Sequence, residues 1–405
     1  MSAESTAAEV VIIGAGVIGL SCAYFLQKQG RKVLLLDRGR VGGGTSHGNC
    51  GMISPSQAAP IAMPGLIPRA LKWMWQPDAP LYIKPTLNPQ RLAWLWRFAR
   101  RCNWDDYWES AGRKQVLLER SRQLFDQIIL GERLDCDFAP VGHLVALRDP
   151  ASIPDARAAI DRMHQLGVAA EWWDGQQLAA REPALLPGLA GAIWNPDDAH
   201  FRPDRYVAEL ARVVRARGGE IRTGAPVTGI ERAGAQVTAL RLADGERLKV
   251  GADLILATGA WAPELGRQLG LKLRIEPAKG YSITTTCPSL MPRVSVVFRE
   301  RGVAVTPWAS GFRLGSTYEF SGFDTRHNAV RFHALKRAAA EYLREPTGPV
   351  IEEEWMGFRP MTVDGVPLIE RAPGLRNVVV AAGHGTLGMS MSPATGERVA
   401  ALLSG

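Results

Sequence analysis

The sequence predicts an α/β protein organised around a parallel sheet. Three observations predict it. Val10-Val11-Ile12-Ile13 is a short uninterrupted apolar run of the kind that forms a strand buried on both faces of a parallel sheet. A glycine-spaced turn follows at once and opens into a helical pattern. A second apolar run, Leu254-Ile255-Leu256-Ala257, ends in Thr258-Gly259 far along the chain, so the sheet is assembled from separated segments.

The elements follow in order. Residues 19–29 carry Leu20, Ala23, Tyr24, Leu26 and Gln27 at helical spacing, and Gly30 is placed to end the helix in a left-handed cap. Residues 32–37 form the next strand, completing a strand-helix-strand unit with a right-handed crossover. Helical stretches occupy 90–101, 112–130, 151–166 and 203–217. From 226 to 256 the pattern changes to short β-branched runs with a hairpin turn at Asp244-Gly245. Further strands span about 273–318 and a helix 327–343. The tail returns to strand (378–381), glycine-rich loop (383–388) and helix (393–403). No internal repeat or low-complexity tract interrupts this order.

Composition narrows the function. A chain of 405 residues, 46% apolar and 22% charged, is an ordinary globular protein of roughly two to three domains. The net charge of +8 favours an anionic ligand or surface. Nucleic acid is not expected, because Lys and Arg are dispersed and no zinc-finger spacing, aromatic RNA-binding run or basic arm occurs. Five cysteines without a C-x-x-C pair suggest neither a disulfide framework nor a zinc site, and a reducing, cytoplasmic setting fits them. The uncharged run from Val10 to Gln27 has the length of a membrane span, but glycines interrupt it and no Lys or Arg precedes it.

Gly14-Ala15-Gly16-Val17-Ile18-Gly19 is G-x-G-x-x-G between a strand and a helix, the Rossmann-like context in which the motif has a mechanical meaning. Gly14 permits the tight turn, Gly16 admits a pyrophosphate to the backbone, and Gly19 lets helix and strand pack closely. The helix N-terminus offers free N–H groups and partial positive charge. Asp37, at the end of the second strand, is placed for a ribose diol. The motif alone leaves FAD and NAD open. A second glycine-rich, hydroxyl-bearing segment, Arg38 to Ser46, and the small-residue turn at Thr258-Gly259 favour the longer cofactor.

The opening VVIIGAGVIG, the segments GTSHGNCG and ILATGAW, the stretch GFRPMTVDGVPLIE and the tail VVVAAGHGTLGMSMSPATGERVA together resemble the D-amino-acid oxidase-like FAD oxidoreductases, and within them the bacterial D-amino-acid dehydrogenase small subunits. The resemblance implies a Rossmann-like FAD-binding domain from discontinuous segments (1–60, 200–265 and 355–405) and an α+β substrate-binding domain with a mixed or antiparallel sheet (61–199 and 266–354). It assigns the ADP half of FAD to Gly14, Ala15, Gly16, Val17, Ile18, Gly19, Asp37 and Arg38. Thr45, Ser46 and His47 would lie near the pyrophosphate and flavin, Val227 and Gly259 would be further contacts, and the loop His384, Gly385, Thr386, Leu387 and Gly388 would run beside the isoalloxazine. In dimethylglycine-type relatives a histidine here carries covalent flavin; His47 is offset by one position, so no such bond is expected.

Oxidation of an α-amino acid moves a hydride from the α-carbon to flavin N5 while the amine becomes an iminium. The carboxylate needs a fixed cation, and a planar guanidinium binds it bidentately. Arg359, in Gly357-Phe358-Arg359-Pro360, is the expected residue. Tyr281, in Lys279-Gly280-Tyr281-Ser282, is the expected hydroxyl donor, with Tyr318 behind it. His47 and His384 are expected to polarise the site or accept a proton. No metal spacing or serine-hydrolase elbow occurs. The expected activity is oxidative deamination of a D-amino acid, with electrons passed to a quinone or other acceptor. Oxidation of a secondary amine such as D-hydroxyproline or sarcosine, and a non-catalytic FAD-binding subunit, stand as alternatives. Residues 66–108 hold six of the twelve tryptophans and an excess of Lys and Arg, including Leu71-Lys72-Trp73-Met74-Trp75, which suggests peripheral contact with the inner face of the membrane.

Overall fold

The computed structural model describes residues 8–73 and 79–404. One sheet runs in the order Leu368–Arg371, Val378–Ala382, Asp253–Leu256, Val10–Ile13, Val33–Leu36, Glu220–Arg222. Its last five strands are parallel and the first is antiparallel. The apolar runs look uniform, but the pleat divides them between two faces. Val10, Ile12, Val33, Leu35, Ile255 and Val379 pack with the helices Val17–Lys28, Pro203–Ala216 and Gly388–Ser404. Val11, Ile13, Leu34, Leu36, Leu254 and Val380 pack instead with a small antiparallel sheet, Val227–Ala233, Gln236–Leu242 and Arg247–Lys249. Each fully buried aliphatic side chain contributes about 1.5–3 kcal/mol, so both faces stabilise the sheet.

Among the described residues a second sheet has nine strands, in the order Ile351–Met361, Glu276–Thr285, Gly311–Phe320, Val303–Trp308, Ser295–Phe298, His143–Leu147, Gly191–Asn195 and Glu171–Asp174, with Leu81–Ile83 added beside Gly311–Phe320. Helix Ala329–Ala340 covers one face through Phe332, Leu335 and Ala338. The edge strand Ile351–Met361 pairs along its length with Glu276–Thr285, so the chain crosses back to the parallel sheet only after Met361. Edge position explains how a strand can carry Glu352, Glu353, Glu354 and Pro360.

Opposite Gly280 the register slips: Lys279 faces Glu319 and Tyr281 faces Ser316, leaving Thr317 and Tyr318 as a bulge. Thr317 adopts φ +68°, a left-handed conformation that is strained for a β-branched residue.

Several elements begin earlier than their periodicity suggests. The first helix starts at Val17, the long helix spans Trp104–Gly131, and the last begins at Gly388 with Pro393 inside it. Proline supplies no N–H to Met389, and the Ser392 hydroxyl donates to the Met389 carbonyl instead (2.9 Å). The run from Val10 to Gln27 divides into strand, turn and helix, and among the described residues no helix is long and apolar enough to cross a membrane. In the tryptophan-rich stretch, Trp94 is buried against Phe98 and Phe320, while Leu71, Leu92 and Trp96 are exposed; Met74 and Trp75 lie outside the described residues.

Candidate active site

A cavity of about 490 Å³ opens over the carboxyl ends of the parallel strands. Its floor is the glycine turn. Gly14 has φ +109°, and a Cβ there would strike the Ala257 carbonyl; a Cβ at Gly19 would strike the Gly14 carbonyl. Asp37 braces this turn, its Oδ2 accepting from Ala15 N (2.8 Å) and its Oδ1 from Gly39 N (2.8 Å). A carboxylate has about four acceptor sites, so capacity remains for two hydroxyls. Ser46 Oγ accepts from Val17 N (3.1 Å), tying the second glycine-rich segment to the helix start.

Two helix N-termini converge here, one through Gly16, Val17 and Ile18 and the other through Gly388 and Met389. Their partial positive charges favour an anion. Thr258 Oγ1 also lines the cavity and is buried with no hydrogen-bond partner among the described residues. Val227 and Gly259 lie on the far wall, and the Arg38 guanidinium stacks 3.9 Å over the Trp261 ring. A glycine-lined cleft, two helix termini, a braced carboxylate and an unpartnered hydroxyl fit a dinucleotide.

A second cavity, about 340 Å³, shares Thr45, Asn49, His384, Gly385 and Thr386 with the first, so the two form one continuous cleft. Leu387 lines the second, and Ser54 Oγ and Thr362 Oγ1 face it without partners among the described residues. Thr45 Oγ1 donates to the Phe358 carbonyl (2.6 Å), joining the glycine-rich segment to the edge strand.

The edge strand brings Arg359 into this cavity. Its Nη1 donates to the Thr317 carbonyl (2.5 Å), and its guanidinium lies 5.0 Å from the Tyr318 ring centroid. Gly280 makes the space, since a Cβ there would collide with the guanidinium. The strained bulge therefore supplies both the carbonyl and the ring that fix Arg359. Trp355, four residues earlier on the same face, lies against Gly48 and Gly357 as a second wall.

Tyr281 is not brought to Arg359. Tyr281 adjoins the cavity next to Gly280, but its ring meets Phe332 and its hydroxyl donates to Glu319 Oε2 (2.9 Å), not toward Arg359. Burial and the neighbouring carboxylate push its pKa up. Glu319 also accepts from Ser321 Oγ (2.8 Å), with the buried Lys279 ammonium 3.9 Å away. This cluster backs the bulge, and sequence spacing gave no sign of it because the residues meet only through the register slip.

His47 lines neither cavity; its Nε2 lies 2.8 Å from Glu353 Oε1, and its carbonyl accepts from Arg313 Nη1 (2.7 Å). His384 does face the cleft. The Thr395 hydroxyl donates to the Met391 carbonyl (2.9 Å), so His384 Nε2 carries the proton in its 3.0 Å bond to that hydroxyl. Burial lowers its pKa to about 3, which keeps the ring neutral.

This fold and cleft define a dinucleotide-dependent oxidoreductase. Residues 9–402 match the DAO family, FAD dependent oxidoreductase; the chain belongs to that family and FAD is its cofactor. It is similar to the D-amino acid dehydrogenase of Paramagnetospirillum magneticum, with 36% identity over 98% of this chain and 95% of that protein. Its fold is similar to glycine oxidase from Geobacillus kaustophilus (TM-score 0.79, 23% identity, 99% of this chain and 95% of that one). It is also similar to L-alpha-glycerophosphate oxidase from Mycoplasma pneumoniae with FAD bound (TM-score 0.75, 17% identity, 99% and 96%).

Proposed function

We propose that the chain oxidises a D-amino acid to its 2-oxo acid. The observation that carries this reading is Arg359, a guanidinium fixed by backbone and ring contacts in a cavity that no Asp or Glu lines among the described residues. A substrate carboxylate is the partner such a cation lacks, each charged hydrogen bond contributing about 1.5–3 kcal/mol. The name of the 36% identical relative supports the D-amino acid as substrate class.

Gly14 to Gly19, Asp37 and Arg38 would hold the adenosine and diphosphate half of FAD, and Gly385 to Gly388 the flavin end. When bound, the flavin accepts the hydride that leaves the substrate α-carbon. Arg359 orients the carboxylate, Tyr318 holds the guanidinium in place beside the bulge, and Ile61, Phe98, Trp355 and Met361 keep water from the reacting carbon. The parallel-sheet body serves the cofactor and the nine-stranded body the substrate. Exposed Leu71, Leu87, Leu92 and Trp96, set among Arg69, Lys72 and Arg100, suit an anionic lipid surface, with a membrane quinone as electron acceptor.

Anaerobic titration of the purified holoenzyme against D-amino acids, L-amino acids and cyclic amines tests the reading through flavin absorbance. Bleaching by D-amino acids is expected. Bleaching by cyclic amines alone would move the function to secondary amines, and retained flavin that no amine bleaches would leave a non-catalytic subunit.

A further inference from the structure

We propose that Lys114 forms a second anion site in the substrate cavity, so that the enzyme accepts amino acids whose side chain ends in a carboxylate. This rests on the D-amino-acid reading above but concerns a different residue and a different part of the substrate.

Helix Trp104–Gly131 buries Ser110, Ala111, Lys114, Leu117 and Leu118 on one face. A lysine in that stripe breaks the amphipathic pattern. Lys114 is only 4% exposed and lines the same 340 Å³ cavity as Arg359. Its Nζ donates to the Ala59 carbonyl (3.1 Å). An ammonium has three donors, so this one bond leaves hydrogen-bonding capacity for a ligand. The acid whose field reaches it, Asp364, does not line the cavity. Burial holds the Lys114 ammonium far below the usual lysine range, at about 7. Among the described residues no Asp or Glu lines the cavity, and of the other lining residues Arg359 is a cation, His384 stays neutral, burial raises the Cys50 thiol and the Tyr281 hydroxyl, and Tyr318 is a phenol. A buried cation of this kind is stabilised by an arriving anion, and a dicarboxylic substrate would engage Arg359 with one end and Lys114 with the other.

The test is equilibrium binding of glutarate against valerate to the holoenzyme, read from perturbation of the flavin spectrum, in wild type, Lys114→Met and Lys114→Arg. Glutarate should bind about 10- to 100-fold more tightly than valerate in wild type, the scale of a charged hydrogen bond. Lys114→Met should abolish the advantage and Lys114→Arg should keep part of it. The advantage should also shrink as pH rises through 7, because the unliganded lysine then loses its charge. Equal affinities in wild type, or an advantage that survives Lys114→Met, would overturn the proposal. If glutarate is preferred but no D-amino acid bleaches the flavin, the oxidation reading fails while this site stands.

Discussion

The two ends of the cleft are built by different means. The nucleotide end is backbone: a glycine turn, two helix N-termini and one carboxylate that braces the turn. The substrate end is side chain, with Arg359 held by a bulge on one strand and a space left by Gly280 on another. A backbone site is specified by local spacing, because conformation and close approach depend on neighbours in sequence. A side-chain site depends on register between strands far apart in sequence, where one slip reassigns every face.

The largest effect should come from breaking the backbone end. Gly14→Val forces a β-branched residue into φ +109° and against the Ala257 carbonyl, with strain of at least about 1–3 kcal/mol before the collision is counted. The variant should purify without flavin colour or fail to accumulate, and absorbance at the flavin band per mole of protein measures this. A yellow Gly14→Val protein would show that the turn does not carry the cofactor.

Breaking the substrate end should leave the colour intact and remove the activity. Arg359→Ala should lower kcat/KM by about 100- to 10,000-fold, the loss of two charged hydrogen bonds, with an unchanged flavin spectrum. Arg359→Lys should recover little, since an ammonium cannot reproduce the fork or the stacking on Tyr318. Steady-state kinetics with a dye acceptor separates these outcomes, and a fall below tenfold in Arg359→Ala would move the carboxylate site elsewhere.

The Glu319 cluster sharpens the comparison, because it reaches the substrate only through the bulge. Tyr281→Phe removes the hydroxyl that donates to Glu319 while leaving the ring against Phe332. About 1 kcal/mol of net hydrogen bonding is lost, so KM should rise about fivefold with kcat nearly unchanged. A comparable fall in kcat at constant KM would instead indicate direct contact with the reacting atoms.

This difference also explains what the sequence disclosed. The strand Val10–Ile13, the glycine turn, Asp37 and the loop at Gly383 to Gly388 were all readable, because glycine spacing and apolar runs are local signals. Arg359 was readable as a residue but not as an edge-strand side chain. Its strand carries three glutamates, a glycine and a proline, which mask any alternation. Tyr281 shows the same limit: both it and Gly280 line the cavity, but only the position of the Arg359 guanidinium over Gly280 and the bond from the Tyr281 hydroxyl to Glu319 show where that hydroxyl is directed.

His47 gives the smallest expected effect and the sharpest test of the contrast. It lies in the segment that joins both ends of the cleft, and its residue type invites a catalytic role. The ring, however, pairs with Glu353, a half-exposed carboxylate, and exposed pairs of this kind contribute only about 0.2–1 kcal/mol. What anchors the segment at this residue is the His47 carbonyl, which accepts from Arg313, and alanine keeps that carbonyl. His47→Ala should therefore change kcat/KM by less than about fivefold, the kinetic equivalent of that energy, with flavin content unaltered. A loss on the scale of Arg359→Ala, with flavin still bound, would mean that the imidazole reaches the substrate and that the face assigned to it from its Glu353 contact is not the one used in turnover.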